Sequence, residues 1–218
     1  MGFTGYFSKV FLRIFAAAAF LMAGFAAHAD IHPGKEYELV SPPQAVETGK
    51  KIEVLEIFSY ACPHCYNLEP DLNKWVKQLP KDVEFRRLPA VFRESWMPFA
   101  KPFYTFEAMG LTEKLHGEFF NAIHAQHVRF DDDNALFDWA EKRGVNRKSF
   151  ADTYTSFAVQ SKALRSKQLS KAYGIGGVPA VIVDGKYRTS VSNTGSNEGL
   201  LSALDQLIKQ ARQERAGK

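Results

Sequence analysis

Cysteine is scarce in this sequence, with only 2 among 218 residues, Cys62 and Cys65. So few cysteines exclude a small scaffold held together by disulfides, and they are too few for a zinc site built from four thiolates. Any thiol chemistry must therefore come from this one pair, whose members are separated by two residues.

The sequence also has only a small excess of positive charge. The formal net charge is +4, and it falls to +2 without Lys9 and Arg13, which lie in an amino-terminal leader. This balance is too weak to indicate a nucleic acid or an anionic membrane as partner, because both need clustered cations. Apolar residues make up 45% of the chain and charged residues 24%, which is typical of a globular protein with room for one large domain.

The first 29 residues have the pattern of a cleavable export signal. Lys9 and Arg13 form a positive region without acids, residues 14–27 are uniformly apolar, and Ala27-His28-Ala29 supplies the small residues that a signal peptidase accepts. The apolar run is 14 residues long, short of the ~20 that span a bilayer, which disfavours the alternative of an uncleaved anchor. We expect cleavage after Ala29 and a mature protein that begins at Asp30 in an oxidising compartment.

The segment after the leader predicts one βαβ unit. Residues 51–60 are almost continuously apolar, which indicates a central strand covered on both faces, with Glu56 as its one anomaly. Residues 63–79 carry apolar side chains at helical spacing, and residues 83–88 have the pattern of a short strand. A strand, a crossing helix and a second strand make the unit complete.

The rest of the chain combines a helical middle with a late hairpin. Asp184-Gly185 is a strong turn signal, and it predicts a hairpin between residues 180–183 and 186–189. Apolar and aromatic residues recur at helical spacing in four middle segments and one final segment. These cover residues 98–109, 113–127, 133–143, 147–172 and 197–212.

The sharpest motif is Cys62-Pro63-His64-Cys65. A dithiol exchange centre needs an exposed thiolate and a second thiol close enough to resolve a mixed disulfide, and a CxxC at a helix start supplies both. Cys62 falls at the N-cap or first position of the predicted helix, where unpaired N–H groups favour an anion, and Pro63 suits the first turn. A protonated His64 would lower the pKa of Cys62 further. The alternatives are half of a metal site or an inert disulfide.

At this point the sequence resembles the thioredoxin-fold family and, within it, the DsbA-type thiol:disulfide oxidants. The resemblance rests on residues 54–66 (VLEIFSYACPHCY), on Gly177-Val178-Pro179-Ala180 and on the export signal. It implies an α/β thioredoxin fold with an inserted all-helical domain. Its thioredoxin-like part would comprise residues 30–91 and 167–218, with the helical insertion at residues 92–166 and the cleaved signal at residues 1–29.

The resemblance also assigns roles to residues outside the motif. Val178-Pro179 matches the cis-proline loop that pairs with the substrate chain, and the alternative is a simple edge-strand proline. Glu56 matches a buried acid that can relay the proton of Cys65, and the alternative is an exposed carboxylate at a strand end. Arg87 stands where the family has a lysine paired with that acid, and a relay through this base is shut off because arginine does not lose its proton.

The sequence therefore predicts an exported, periplasmic dithiol oxidase that donates its Cys62–Cys65 disulfide to newly exported proteins and needs no cofactor or metal. By resemblance, a DsbB-like membrane quinone reductase re-oxidises it, and the chain acts as a monomer. Two alternatives stay open. One is a disulfide isomerase or reductase, although residues 30–50 are too short for the dimerisation domain of such isomerases. The other is a non-catalytic CxxC carrier of metal, although clustered extra Met, Cys or His ligands are lacking.

Two weaker patterns are interpreted as structural. His124 and His127 share a predicted helix face, and His116 lies two to three turns away, so solvated histidines are favoured over a metal site. The acidic run at residues 131–134 lacks the Gly and Glu of a calcium loop, and acidic capping of a helix explains it better.

Overall fold

A five-stranded sheet forms the centre of the fold in the computed structural model, which describes residues 30–217. Its strands are β1 (Glu38–Leu39), β2 (Ile52–Phe58), β3 (Val83–Pro89), β4 (Ala180–Val183) and β5 (Tyr187–Thr189). They lie in the order β1-β5-β4-β2-β3. Strand β2 is parallel to β3 and antiparallel to β4, which confirms the βαβ unit at the centre of the sheet.

The sequence patterns explain the central strands. All residues of β2 are buried, as its continuous apolar character predicts for a strand with neighbours on both sides. The predicted hairpin is also confirmed, because β4 and β5 pair across Asp184 and Gly185. Both turn residues have positive φ angles, 55° and 68°, which is the backbone conformation that an Asp-Gly hairpin turn needs.

Eight α-helices surround the sheet in the described part of the chain. The first, α1, follows β2 and begins at the cysteine pair, and five more come between β3 and β4 after one turn of 3₁₀ helix. Two close the chain. Their bounds are α1 (Pro63–Val76), α2 (Met97–Ala108), α3 (Thr112–His124), α4 (Asp133–Glu141), α5 (Arg147–Tyr154), α6 (Phe157–Ala172), α7 (Val191–Thr194) and α8 (Asn197–Ala216).

The helix predictions are confirmed except at two places. The helix predicted over residues 113–127 ends at His124, and His127, expected on the same helix face, lies beyond it with a positive φ of 54°. The segment 147–172, predicted as continuous, is two helices, because Ser156 starts a new one. The Ser156 side chain accepts a hydrogen bond from the Val159 backbone N–H, which caps α6 and separates it from α5. Helical spacing of apolar residues continues across such a break, so the pattern by itself does not reveal it.

The hydrophobic core continues from the sheet into the helical block. Phe58 at the end of β2, Tyr60 just after it and Cys65 on α1 belong to one buried cluster with the aromatic residues of helices α2 to α5. From Ile31 onward the chain forms one compact unit. The domain boundary expected at residue 166 falls inside α6, so a division there would cut a continuous helix.

The predicted signal at residues 1–29 lies outside the described residues. Within residues 30–217, no helix combines the length and the apolar character that crossing a bilayer requires.

Candidate active site at the start of helix α1

Cys62 occupies the N-cap of α1, with Pro63 in the first turn as the sequence predicts. The short connection after β2 leads the chain there, and the Cys62 backbone N–H donates to the Ser59 carbonyl at 3.0 Å. Cys62 Sγ accepts a hydrogen bond from the Cys65 backbone N–H at 3.4 Å. The sulfur thus takes the place of a capping oxygen and meets the unpaired N–H groups of the helix start.

These contacts favour the anionic form of Cys62. The hydrogen bond with the Cys65 side chain contributes most, and the backbone N–H groups of Cys65 and His64 add to it, so that the pKa of Cys62 is lowered to about 6 against the opposing effect of burial. The charge of the exposed His64 contributes least among these causes. The predicted direction for His64 agrees with this, but the helix start and the second thiol matter more.

Cys65 lies in the opposite environment, although it is only one helical turn away. Its side chain is fully buried among apolar residues. Burial is the main reason why the pKa of Cys65 is raised far above its ordinary value, and the neighbouring Cys62 and Glu56 add to the rise. These pKa directions are those of the dithiol form of the pair.

The loop before β4 approaches Cys62 from the other side. The Val178–Pro179 peptide bond is cis, and the Val178 carbonyl accepts a hydrogen bond from Cys62 Sγ at 3.4 Å. Pro179 is buried and Val178 is half-buried. The structure therefore brings Val178 and Pro179, which the sequence resemblance singled out, to the reactive sulfur from 116 residues away.

An open cleft of about 660 Å³ lies beside this loop. His64 and the segment from Gly174 to Ala180 form one wall. Polar side chains form much of the rest, including those of Asn67, Arg188, Asn193 and Asn197. A peptide chain that reaches Cys62 along this loop would thus meet these polar side chains together with the apolar side chains of Ile175 and Val178.

Glu56 is fully buried behind the cysteine pair, which excludes the alternative of an exposed strand-end carboxylate. Its Oε2 accepts a hydrogen bond from Arg87 Nε at 2.9 Å, while Oε1 has no hydrogen-bond partner in the protein. Burial raises the pKa of Glu56 to about 8, with a further rise from the negative Glu69 and a partial offset from Arg87. At neutral pH this carboxyl therefore holds a proton.

Two polar residues whose roles the sequence did not reveal, Glu69 and His116, complete the buried cluster. Glu69 on α1 shares Arg87 with Glu56, through Arg87 Nη2 at 3.3 Å. His116 on α3 contacts Glu69 Oε1 at 3.2 Å and the Tyr60 hydroxyl at 2.7 Å. Glu69 could have been suspected, since it lies four residues after Cys65 on the same helix face. His116 carried no such signal, because its partners are 47 and 56 residues away.

Comparison with known proteins identifies the family of this chain. A family model for the DSBA-like thioredoxin domain matches residues 87–205. The thiol:disulfide interchange protein DsbA of Burkholderia cepacia is 40% identical over 209 residues, which cover 95% of this chain and 97% of that protein. The protein of the same name from Pseudomonas syringae pv. tomato is 42% identical over 197 residues, or 90% of this chain and 92% of that protein. This chain belongs to the DsbA-like thioredoxin-domain family.

A solved structure agrees with the DsbA-like assignment. The crystal structure of Pseudomonas aeruginosa DsbA aligns with a TM-score of 0.82 at 40% identity, covering 87% of this chain and 98% of that one. The predicted fold, a thioredoxin fold with a helical insertion, is therefore confirmed.

The structure corrects the prediction that the histidines are solvated. His116 is not solvated as predicted but buried, because its ring packs among Phe58, Phe103 and Phe120 and both nitrogens find partners. His124 is half-buried, and its Nε2 donates to the Tyr60 carbonyl at 2.8 Å. Sequence spacing alone does not distinguish such histidines from exposed ones.

The acidic run is a helix cap, as predicted. The Asp132 side chain accepts a hydrogen bond from the Ala135 backbone N–H at 2.9 Å at the start of α4. Among residues 30–217, no three or more His, Cys, Asp or Glu side chains are grouped so that they could hold a metal ion.

Proposed function

We propose that this chain, a thiol:disulfide oxidoreductase by family, donates the Cys62–Cys65 disulfide to newly exported proteins that contain cysteine. The observation that carries the proposal is the contrast between the two thiols. Cys62 is accessible and stabilised as an anion, whereas Cys65 is buried and held as a thiol. A dithiol whose reduced form is stabilised in this way is a strong oxidant, because the electrons are held more tightly.

The reaction takes two displacements. A substrate thiolate attacks Cys62 Sγ, the Cys62–Cys65 bond breaks, and Cys65 leaves with the electron pair and takes up a proton. A second substrate thiolate then attacks the substrate sulfur of the mixed disulfide, and Cys62 leaves as a thiolate. The substrate gains a disulfide and the enzyme gains two electrons. When the second attack fails, Cys65 resolves the mixed disulfide by attacking Cys62.

Glu56 supplies the proton that Cys65 needs. A buried thiolate in an apolar cluster is costly, and the charge of Glu56 influences the pKa of Cys65. A carboxyl that is protonated at neutral pH can act as the acid there. Arg87 cannot pass the proton on, since it remains charged, so it serves only to stabilise the Glu56 carboxylate that is left.

The substrate chain lies along Val178 and Pro179. Support comes from the position of the Val178 carbonyl next to Cys62 Sγ and from the open cleft along the same loop. Main-chain groups recognise any extended peptide, which suits an enzyme with many substrates.

The chain acts as a monomer in the periplasm, after removal of the signal behind Ala29, and it needs no cofactor other than its own disulfide. A DsbB-like membrane quinone reductase re-oxidises it, so that two electrons and two protons pass from the Cys62–Cys65 dithiol to a quinone.

The equilibrium between this protein and glutathione tests the proposal. We expect reduced protein to predominate even when oxidised glutathione is abundant, because the Cys62 thiolate stabilises the reduced form. If oxidised glutathione readily converts the Cys62–Cys65 dithiol to the disulfide, the oxidase role is overturned and the reductase or isomerase alternative is supported. The metal content of the purified protein tests the carrier alternative, which requires stoichiometric Cu(I) or Zn(II).

A further inference from the structure

A continuous chain of buried polar groups runs behind Cys65 from the helical block to the sheet. It begins at the Tyr60 hydroxyl, 2.7 Å from His116 Nδ1, and continues from His116 Nε2 to Glu69 Oε1 at 3.2 Å. Arg87 then joins Glu69 to Glu56, through Nη2 at 3.3 Å and Nε at 2.9 Å. All of these residues except the half-buried Arg87 are buried.

The donors and acceptors in this chain determine the form of His116. The Glu69 carboxylate only accepts hydrogen bonds, so His116 Nε2 carries a hydrogen and donates it. Nδ1 of the neutral ring then accepts from the Tyr60 hydroxyl. Tyr60 thus selects the tautomer that presents an N–H to Glu69.

We propose that His116 is a positioning residue for proton transfer at Cys65, because it holds the Glu69 carboxylate where that carboxylate shares Arg87 with Glu56. This inference rests on the proposed role of Glu56 as the proton donor, and it adds one of the groups that keep the proton on Glu56.

The charges around Glu56 support the inference. Arg87 on β3 favours the Glu56 carboxylate, whereas Glu69 on α1 disfavours it. Cys65 and Tyr60 are the other titratable groups that interact with Glu56, and both stay protonated because burial raises their pKa values. One guanidinium therefore faces two carboxyls in a buried space, and whichever carboxyl has fewer hydrogen-bond donors retains the proton.

The groups around His116 show why Glu69 is the ionised partner. Burial raises the pKa of Glu69, but its hydrogen bond to His116, the charge of Arg87 and a hydrogen bond from Asn73 Nδ2 to Glu69 Oε2 at 2.7 Å outweigh this effect, and the pKa is lowered. Burial also lowers the pKa of His116, whose charged neighbours are Glu69, Arg87 and Glu113. A neutral His116 thus stabilises the anionic Glu69, and Glu56 is left with the proton.

Two substitutions of His116 distinguish the effect of its N–H donor from the effect of its aromatic ring. His116→Phe keeps an aromatic ring in an aromatic cluster but removes the donor to Glu69. His116→Gln is the matched control, because its amide nitrogen can replace Nε2 as the donor. With phenylalanine we expect the pKa of Glu69 to rise by about one unit, the size of one hydrogen bond to a charge. The pKa of Glu56 should fall by less than that, because Glu69 stays ionised where Glu56 titrates and only its position relative to Arg87 and Glu56 changes. Glutamine should restore both.

The experiment is a pH titration of the reduced protein by NMR, with ¹³C-labelled Glu side-chain carboxyls assigned through Glu56→Gln and Glu69→Gln variants. Opposite shifts of Glu56 and Glu69 in His116→Phe, restored by His116→Gln, support the inference. An unchanged Glu56 titration overturns it. If His116→Phe does not fold, Tyr60→Phe, which frees the other tautomer, must give smaller shifts in the same directions.

A kinetic measurement distinguishes the inference from the proposed function. The rate at which dithiothreitol reduces the Cys62–Cys65 disulfide is measured across pH for the unmodified protein, Glu56→Gln and His116→Phe. If Glu56→Gln leaves the pH profile unchanged, the donor role of Glu56 is wrong, whatever the NMR titration shows. If Glu56→Gln changes the profile and His116→Phe does not move it to lower pH, His116 is not a positioning residue.

Discussion

The two sides of the Cys62-Pro63-His64-Cys65 turn present contrasting environments to the same kind of side chain. On the outer side, Cys62 is half-exposed, meets backbone N–H groups and lies against the Val178 carbonyl. On the inner side, Cys65 is buried against the aromatic core of the helical block. The pKa of one thiol is lowered to about 6 and that of the other is raised. One turn of helix is thus enough to make a leaving thiolate and a protonated partner, because α1 begins at the surface and enters the core at once.

The contrast teaches that the oxidising chemistry depends on both sides. The outer side stabilises charge with hydrogen bonds that the helix start leaves free. The inner side excludes charge, and it needs a buried acid to supply a proton to the departing sulfur. Changes on either side should therefore affect different steps, and the predictions below separate them in order of expected effect.

The largest effect is expected from removing one thiol at a time. Cys62→Ser should abolish exchange and form no mixed disulfides, because the buried Cys65 is inaccessible to a protein substrate. Cys65→Ser should also lose turnover but accumulate mixed disulfides through Cys62, since nothing remains to resolve them. Non-reducing electrophoresis and mass spectrometry of trapped partners measure both. Trapping by Cys62→Ser instead would reverse the assignment of the two cysteines.

The second prediction concerns the pH dependence of stability. The folded pKa of Cys62 is depressed to about 6, below the ~8.5 of an unfolded cysteine. Its contribution to the reduced form is therefore complete above ~8.5 and is lost as the pH falls through the folded value. We compare the free energies of unfolding of the reduced and the oxidised protein. Between pH 5 and pH 8 their difference should change by about 1–2 kcal/mol in favour of the reduced protein, after allowance for solvent screening.

The raised pKa of Cys65 has the opposite sign. An unfolded Cys65 ionises above ~8.5 while the folded one does not. The stability of the reduced form relative to the oxidised form should therefore decrease again at higher pH. The disulfide itself closes a loop of about four residues and stabilises the oxidised form by about 2 kcal/mol. The oxidised form should thus be the more stable at pH 5, and the two forms should approach equal stability near pH 8. Denaturant midpoints measure this, with a Cys62→Ser/Cys65→Ser double variant as the baseline, and a pH-independent difference between the redox forms would contradict it.

The third prediction tests the inner side through Glu56. After correction for the thiolate content of dithiothreitol, the rate of reduction of the Cys62–Cys65 disulfide should fall as the pH rises through about 8, because Glu56 then loses its proton. Glu56→Gln should be slower by a factor on the order of 10 at pH 7 and should lack this fall. Glu141→Gln, at an exposed site at the end of α4, is the control. A Glu56→Gln profile like that of the unmodified protein would mean that the proton comes from elsewhere.

The smallest effect is expected at His64. His64→Gln should raise the pKa of Cys62 by about half a unit, because it removes a cation that contributes less than the helix start does. The ultraviolet absorbance of the thiolate measures the titration, with His127→Gln as a control for an exposed histidine. A rise of two units or more would show that the side chain of His64, and not the helix terminus, dominates the outer environment.

The sequence by itself determined the outer side of the site. Cys62 and Pro63 indicate a helix start, and the apolar run before them indicates a buried central strand. Asp184-Gly185 indicates the hairpin whose first strand follows Pro179. These are local signals, since the spacing of a few neighbouring residues specifies a turn, a strand or a helix end. Residue types alone also identified Glu56 as anomalous, because a carboxylate seldom occurs in a buried strand.

Only the tertiary structure decided the inner side. His116, Glu69 and Arg87 come from three different elements, and nothing in their local sequence relates them. His116 and His127 belong to one predicted helix, yet α3 ends at His124. Packing of α3 against β2 and α1 buries His116, whereas His127 lies beyond the helix and is exposed. A hydrogen bond between residues far apart in the chain depends on how the elements pack, and the sharing of one guanidinium by two carboxyls follows from that packing.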